Sequence, residues 1–224
     1  MQAELAVPIP SGMVRAVRIG SLGTLAPAPA RWCLQELCGR LTEISGLGDS
    51  ATLTLAFSVV LDAQHQGETV AWVTRSESSF FPLDAWASGA DLEALPVVRM
   101  PDDRSVVHAT DRLARSGGFG LVVFDLGSGN DKATALGRAR PPHLPMAMQA
   151  RLRSLAYRHD MAILCLTRKP AGIPSIGSMV SLRGMARRER QADRFVCRLH
   201  MLKDKHRGPG WVHTETVRGP DGLQ

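Results

Sequence analysis

Residues 43–55, Glu-Ile-Ser-Gly-Leu-Gly-Asp-Ser-Ala-Thr-Leu-Thr-Leu, hold the groups best arranged for phosphate chemistry. An apolar run, a glycine-bearing loop and a helical pattern follow one another there, the order of a phosphate-binding loop. Such a loop cradles phosphates with backbone N–H groups, places a lysine on the β/γ charge and offers a hydroxyl to Mg²⁺, spaced G-x4-G-K-[S/T]. Counted from Gly46, Ala51 stands at the second glycine, Thr52 at the lysine and Leu53 at the hydroxyl. Gly48 remains in the loop, and Asp49 adds negative charge where a polyphosphate would lie. Without the lysine the phosphate charge loses its main compensation, and Leu53 cannot ligate a metal. Taken alone, the stretch fits a degenerate phosphate loop or an ordinary strand–loop–helix equally well.

A second cluster is basic. Arg183, Arg187, Arg188, Arg190, Arg194 and Arg198 fall close together and are followed by Lys203, Lys205 and Arg207. Arginine forks onto phosphate oxygens, so the segment fits a surface that tracks a nucleic-acid backbone. Only Phe195 and Trp211 interleave with it, too few aromatics for base stacking. A solvated Arg-rich hairpin at a sheet edge, where charge discourages stray strand pairing, fits the same residues. The charge balance agrees with either: residues 151–224 carry 15 Lys+Arg against 6 Asp+Glu, while the whole chain has net charge +6.

Other chemistry is thin. Cys33, Cys38, Cys165 and Cys197 lack metal-ligand spacing and read as reduced, buried thiols. The histidines show no H-E-x-x-H arrangement, and no G-x-S-x-G occurs. The longest apolar stretch, Leu53–Leu61, is broken by Thr54 and Ser58 and falls short of the roughly 18 residues of a membrane span. With no basic n-region at the start, the expected location is cytoplasmic, with no membrane partner.

The elements that must position these residues follow from pattern. At 224 residues, 44% apolar and 21% charged, the composition suits one globular domain. Residues 1–39 divide into a Pro/Gly/Ala-rich lead-in and a short helix, Ala30–Cys38, and residues 40–224 form the core. Helices are predicted at Ala51–Gln66, Arg104–Arg115 and Pro145–His159. Strands are predicted at Leu41–Ser45, Thr69–Thr74, Val97–Met100, Leu121–Phe124 and Met161–Thr167. These strands are continuous apolar runs, as expected when helices cover both faces. The class is therefore α/β with a mostly parallel central sheet. Met179–Arg183, Phe195–Asp204 and Trp211–Arg218 read as antiparallel strands added at one C-terminal edge. Gly127–Pro145 and Lys169–Gly177 read as mobile loops.

The order of these motifs resembles the RecA recombinase core. Glu43-Ile44-Ser45-Gly46, Thr54-Leu55 and Gln64-His65-Gln66-Gly67-Glu68-Thr69 match that family without a gap from Gly46 to Gly67. Gly120–Asp125 looks like its Walker B strand, with Asp125 as the residual acid. Ala162–Thr167 resembles the strand ending in its γ-phosphate-sensing Gln, here Thr167. Arg198–Lys205 resembles its basic K-x-K strand. The resemblance places Ser76, next to Glu77, where the family has its catalytic Glu. Lysine, hydroxyl, Glu and Gln are thus all replaced, so the implied protein has a RecA-like fold, no catalysis and no cofactor.

Size, missing lysine and basic C-terminal strands are similar to the ImuA family, the RecA-like members of bacterial mutagenesis cassettes, related to SulA-type proteins. That resemblance implies a role in SOS-induced translesion synthesis. The implied partners are an ImuB-like polymerase subunit, an error-prone replicative-type polymerase, RecA and, through the basic segment, DNA. By the same resemblance, Lys203 and Lys205 would reach nucleotide held by a neighbouring RecA subunit. Two alternatives stay open: a SulA-like division inhibitor that binds FtsZ, and a weak nucleotide-binding or ATPase module using Asp125 and Glu77.

Overall fold

Aliphatic runs form strands β1 (Leu41–Gly46), β2 (Val70–Arg75), β3 (Val97–Met100), β4 (Leu121–Asp125) and β5 (Ala162–Arg168). They alternate with helices α1 (Leu34–Leu37), α2 (Thr52–His65), α3 (Pro82–Ala87), α4 (Asp103–Ser116) and α5 (Met146–His159). Three further strands, β6 (Leu182–Gln191), β7 (Arg194–Asp204) and β8 (Val212–Arg218), follow without an intervening helix. The computed structural model describes residues 32–48, 50–78, 80–127 and 142–218, all within the unit Arg31–Gln224. Asp49, the lead-in before Trp32, most of the loop read at Gly127–Pro145 and the tail after Arg218 lie outside the described residues.

Among the described residues the strands make one eight-stranded sheet in the order β3-β2-β4-β5-β1-β6-β7-β8. The strands from β3 through β6 pair in parallel, and the β6–β7 and β7–β8 pairs are antiparallel. This is the α/β sheet with an antiparallel C-terminal edge expected from the alternation of patterns. Two cores flank it. On one face α2 buries Leu55, Ala56, Val59, Val60 and Ala63 with Trp72, Leu164 and Leu199. On the other, α4 and α5 bury Val106, Leu152 and Ala156 with Val122, Phe124 and Ile163. β1, β4 and β5 have no exposed position except the last residue of β5, which is half-buried. That explains their unbroken apolar pattern.

Three expectations need correction. The first helix is a single turn, Leu34–Leu37, shorter than the Ala30–Cys38 read from sequence. Helix α3 was not expected; Pro82 starts it, but Leu83 and Trp86 are exposed, so no amphipathic face marks it. The strand expected at Met179–Arg183 begins at Leu182 and runs on to Gln191. Its second half is exposed and charged, and it is held by pairing with β7 rather than by burial.

Two buried ion pairs tie this sheet together. In the first, Arg40 Nη2 lies 2.6 Å from Asp204 Oδ1, joining the entry of β1 to the end of β7. Asp204 also accepts from the His206 N–H (2.9 Å) and the Trp211 indole N–H (3.1 Å). In the second, Glu43 in β1 is fully buried, and its Oε1 lies 2.7 Å from Lys169 Nζ. Thr167 Oγ1 donates to the same oxygen (2.8 Å), and the Ile176 N–H donates to Oε2 (2.9 Å). Arg183 stands 4.0 Å from Oε2 and donates to the Pro170 carbonyl (3.2 Å) and to that of Ile173. The segment Lys169–Gly177 is indeed a loop, but it is pinned from both ends and from its middle, contrary to the mobility expected of it.

Desolvation pushes the Lys169 pKa down, and the Glu43 carboxylate opposes that shift. Removing one partner from such a pair leaves an uncompensated buried charge, which costs about 3–5 kcal/mol. Lys169→Met should therefore lower the urea-unfolding free energy by about that much, and Glu43→Gln/Lys169→Met should cost less than the two single changes combined. A second expectation concerns Asp204. Burial pushes its carboxyl up, but the His206 N–H, Arg40 and Trp211 outweigh burial and hold it below the ordinary 3.8. A depressed folded pKa gives stability that is present above the unfolded value and lost as pH falls through the folded one. Acid titration of wild type against Asp204→Asn should show the wild-type advantage shrinking below pH 3.8.

Candidate functional site

β1 ends at Gly46, and α2 begins at Thr52 after an Ala51 N-cap that makes no side-chain hydrogen bond. Between them lies a cavity of about 210 Å³, lined by Gly46, Gly48, Ser50, Thr52, Leu53, Asp125, Gly127, Leu166, Thr167 and Arg168. It opens at the carboxyl ends of β1, β4 and β5, where open α/β sheets bind ligands. Gly46, Gly48, Thr52, Leu53 and Asp125, named separately in the sequence, thus line one cavity.

The interior of the loop is occupied by its own side chains. A Cβ added at Gly46 would lie 2.3 Å from Ser50 Oγ and 2.4 Å from Thr52 Oγ1. These two hydroxyls are 2.8 Å apart and bond to each other. Where an ATPase loop sends a lysine toward phosphate, Thr52 turns its hydroxyl back over the end of β1. Leu53 is half-buried and packs against the α2-side core.

The acids are likewise engaged in structure. Asp125 is 3% exposed; its Oδ1 accepts from the Gly127 N–H (2.7 Å) and its Oδ2 from Thr74 Oγ1 (3.4 Å). Thr167, at the sensor position, spends its hydroxyl on Glu43 and on the Ile44 carbonyl (3.4 Å). Ser76 donates to the Met100 carbonyl on the edge strand (3.3 Å), and Glu77 is exposed and does not line the cavity. Arg168, passed over in the sequence, is among the residues that line it. The strand-terminal position after Thr167 was the available signal.

The basic residues separate into four groups. Arg183 is not a surface residue: it is 5% exposed and serves the Glu43 network, so its place among partner- or DNA-contacting arginines is withdrawn. Lys203 and Lys205 converge on the Ser178 carbonyl, 3.2 and 3.0 Å away. Partial burial and then the Lys205 charge push the Lys203 pKa down. Arg187, Arg188, Arg190 and Arg194 are exposed on the β6–β7 hairpin, with Arg198 half-buried beside Glu189. Arg188 stacks over the Phe195 ring at 4.9 Å, and Arg207 pairs with Glu36. Among the described residues no cluster of three His, Cys, Asp or Glu could hold a metal, and no helix is long and apolar enough to cross a membrane.

Comparison with known proteins agrees with this geometry. The model of the RecA N-terminal domain family matches residues 15–170. Protein RecA of Fusobacterium nucleatum subsp. nucleatum is 35% identical over 121 residues, which is 54% of this chain and 31% of that one. Protein RecA of Methylococcus capsulatus is 34% identical over 146 residues, 65% of this chain and 41% of its own. The RecA of Mannheimia haemolytica is 33% identical over 121 residues, 54% and 32% of the two chains. The matched region thus spans between about a third and two fifths of the length of these relatives. With the loop–strand–helix order, the cavity at the strand ends and a family match over most of its length, this chain belongs to the RecA N-terminal domain family.

Proposed function

We propose that this chain is a non-hydrolysing RecA-family accessory protein of the ImuA type, acting in DNA-damage-induced translesion synthesis. Its work is to bind partner proteins: an ImuB-like polymerase subunit, an error-prone replicative-type polymerase and RecA. One observation carries this reading. Thr52 stands where phosphate chemistry requires a lysine, and its hydroxyl is paired with Ser50 against Gly46. Electrostatic stabilisation of the transferring phosphoryl group has no lysine in this loop to supply it, and Leu53 offers Mg²⁺ no oxygen. Thr167 and Asp125 are tied into the sheet by hydrogen bonds. What remains is a rigid scaffold with surfaces.

Arg168 favours a second, narrower reading: weak anion or nucleotide binding in the cavity without turnover. Titration calorimetry with ATP–Mg²⁺ separates the two. Under the first reading no heat above dilution is expected; under the second, weak binding appears and is lost in Arg168→Ala.

Phosphate-release assays should give a rate equal to the buffer blank, unchanged in Asp125→Ala; a rate abolished by that substitution would refute the silent-pocket reading. Pull-downs with ImuB-like, RecA and FtsZ baits should retain the first two. Retention by FtsZ alone would replace this reading with the division-inhibitor one.

A further inference from the structure

Residues 80–98 carry three acids, Asp84, Asp91 and Glu93, and no lysine or arginine, in a chain whose net charge is +6. The same stretch leaves apolar surface uncovered. Among the described residues, Phe81, Leu83, Trp86 and Leu92 are 54, 59, 67 and 37% exposed, while the other exposed large apolar side chains are scattered singly. Single exposed apolar residues are ordinary, but a cluster of them rimmed by polar groups marks a surface that another molecule covers.

The surface is held in shape from beneath. Ala85, Ala90 and Leu95 are buried in the α2-side core and anchor the segment. Leu83 and Trp86, one turn apart on α3, are left side by side. Gly89, at φ +91°, closes the helix, its N–H donating to the Trp86 carbonyl (2.8 Å). The next turn is clipped to α2: the Gln64 side chain donates to the Asp91 carbonyl (2.8 Å) and accepts from the Asp91 N–H (2.9 Å). Here lies a cavity of about 430 Å³, lined by Trp86, Gly89, Ala90, Asp91, Leu92 and Glu93. Among the described residues, Asp84, Asp91 and Glu93 are in no ion pair. Asp91 Oδ1 accepts from the Glu93 N–H (2.9 Å), and the remaining carboxylate oxygens of these acids face no protein donor.

A cavity lined by an indole ring and two carboxylates is an acceptor for a cationic side chain. The ring face attracts a guanidinium or ammonium group, and the carboxylates form charge-assisted hydrogen bonds with it. Phosphate-bearing ligands are repelled from the same place, and a wholly apolar one would strip water from the acids without replacing it. Phe81, Leu83 and Leu92 then require apolar side chains next to that cation. We propose that α3 and the turn after it form a docking site for a segment of another protein in which arginine or lysine stands beside large apolar side chains. The cation sits against Trp86, Asp91 and Glu93, and the apolar neighbours cover Phe81, Leu83 and Leu92. The site does not rest on the partners named above: a failed pull-down leaves it standing, and its own failure leaves the pull-downs and ATP titrations standing.

Fluorescence anisotropy of the full chain with a labelled peptide of three Arg-Leu-Leu-Ala repeats tests the proposal. Wild type should bind this peptide at least about tenfold more tightly than its Glu-Leu-Leu-Ala and Arg-Ser-Ser-Ala counterparts. Trp86→Ala should weaken binding about tenfold or more, as loss of a central tryptophan does at an interface. Asp91→Asn/Glu93→Gln should weaken it about threefold or more and remove most of its salt dependence. This double change keeps every apolar contact, so the test stays decisive should Trp86→Ala fail to fold. Tyr157→Ala/Leu202→Ser removes exposed apolar side chains elsewhere and should change affinity less than about twofold. The proposal is overturned if the three peptides bind alike, if either site variant binds as wild type does, or if Tyr157→Ala/Leu202→Ser is the change that abolishes binding. It is equally overturned if sedimentation equilibrium shows Trp86→Ala turning a self-associated wild type into monomers, since the occupant is then a second copy. Tighter peptide binding by Arg15→Ser/Arg18→Ser would overturn it too, making the chain's own lead-in the occupant.

Discussion

The fold hinges on a carboxylate buried where no water reaches it. Glu43 sits in a central strand, fully enclosed, and would be costly there without compensation. Lys169, Thr167, Arg183 and the Ile176 N–H supply that compensation from three directions. All of these donors come from β5, the loop after it and the start of β6. The charge that β1 must satisfy therefore determines the path of the chain between the parallel core and the antiparallel edge. Arg40 and Asp204 repeat the device at the entry of β1, tying it to the end of β7. Buried pairs of this kind add little net stability over apolar packing but strongly penalise any arrangement that breaks them.

This network also bears on the neighbouring cavity. Thr167 lines the pocket, yet its hydroxyl points to Glu43, so the position where the family senses a phosphate is committed to holding the sheet. The phosphate loop shows the same conversion on a smaller scale, with Ser50 and Thr52 satisfying each other. Groups that would otherwise wait for a ligand have found partners within the protein. The cavity keeps its place in the topology, and among the described residues that line it there is no lysine.

The parallel core was legible because burial on both faces leaves an unmistakable mark on β1, β2, β4 and β5, and these strands and the edge strand β3 fall within one residue of the runs that announced them. The phosphate loop was legible for a different reason, since its substitutions are visible only against a known spacing. Two things were hidden. The outer half of β6 is Arg-Arg-Glu-Arg, whose strand character arises from pairing with β7, and no hydrophobic period records that. Arg183 belongs to the same arginine run in sequence but is buried. It lies on the same side of β6 as Arg187, and only the Lys169–Gly177 loop, whose Pro170 and Ile173 carbonyls accept from it, separates it from its exposed neighbours. Composition treats buried and solvated arginines alike; the partner Glu43 is far away in the chain and carries no local signal.

The strand order has a consequence for how the protein comes into being. β1 is made well before both of its neighbours, β5 and β6, which emerge some 120 to 140 residues later. Until then its apolar side chains and the Glu43 carboxylate have no strand partner. Such non-local pairing slows closure of the sheet and leaves sticky strand edges exposed to other nascent chains. Efficient production of this protein should accordingly depend on holdase chaperones that shelter β1 until β5 and β6 have been made.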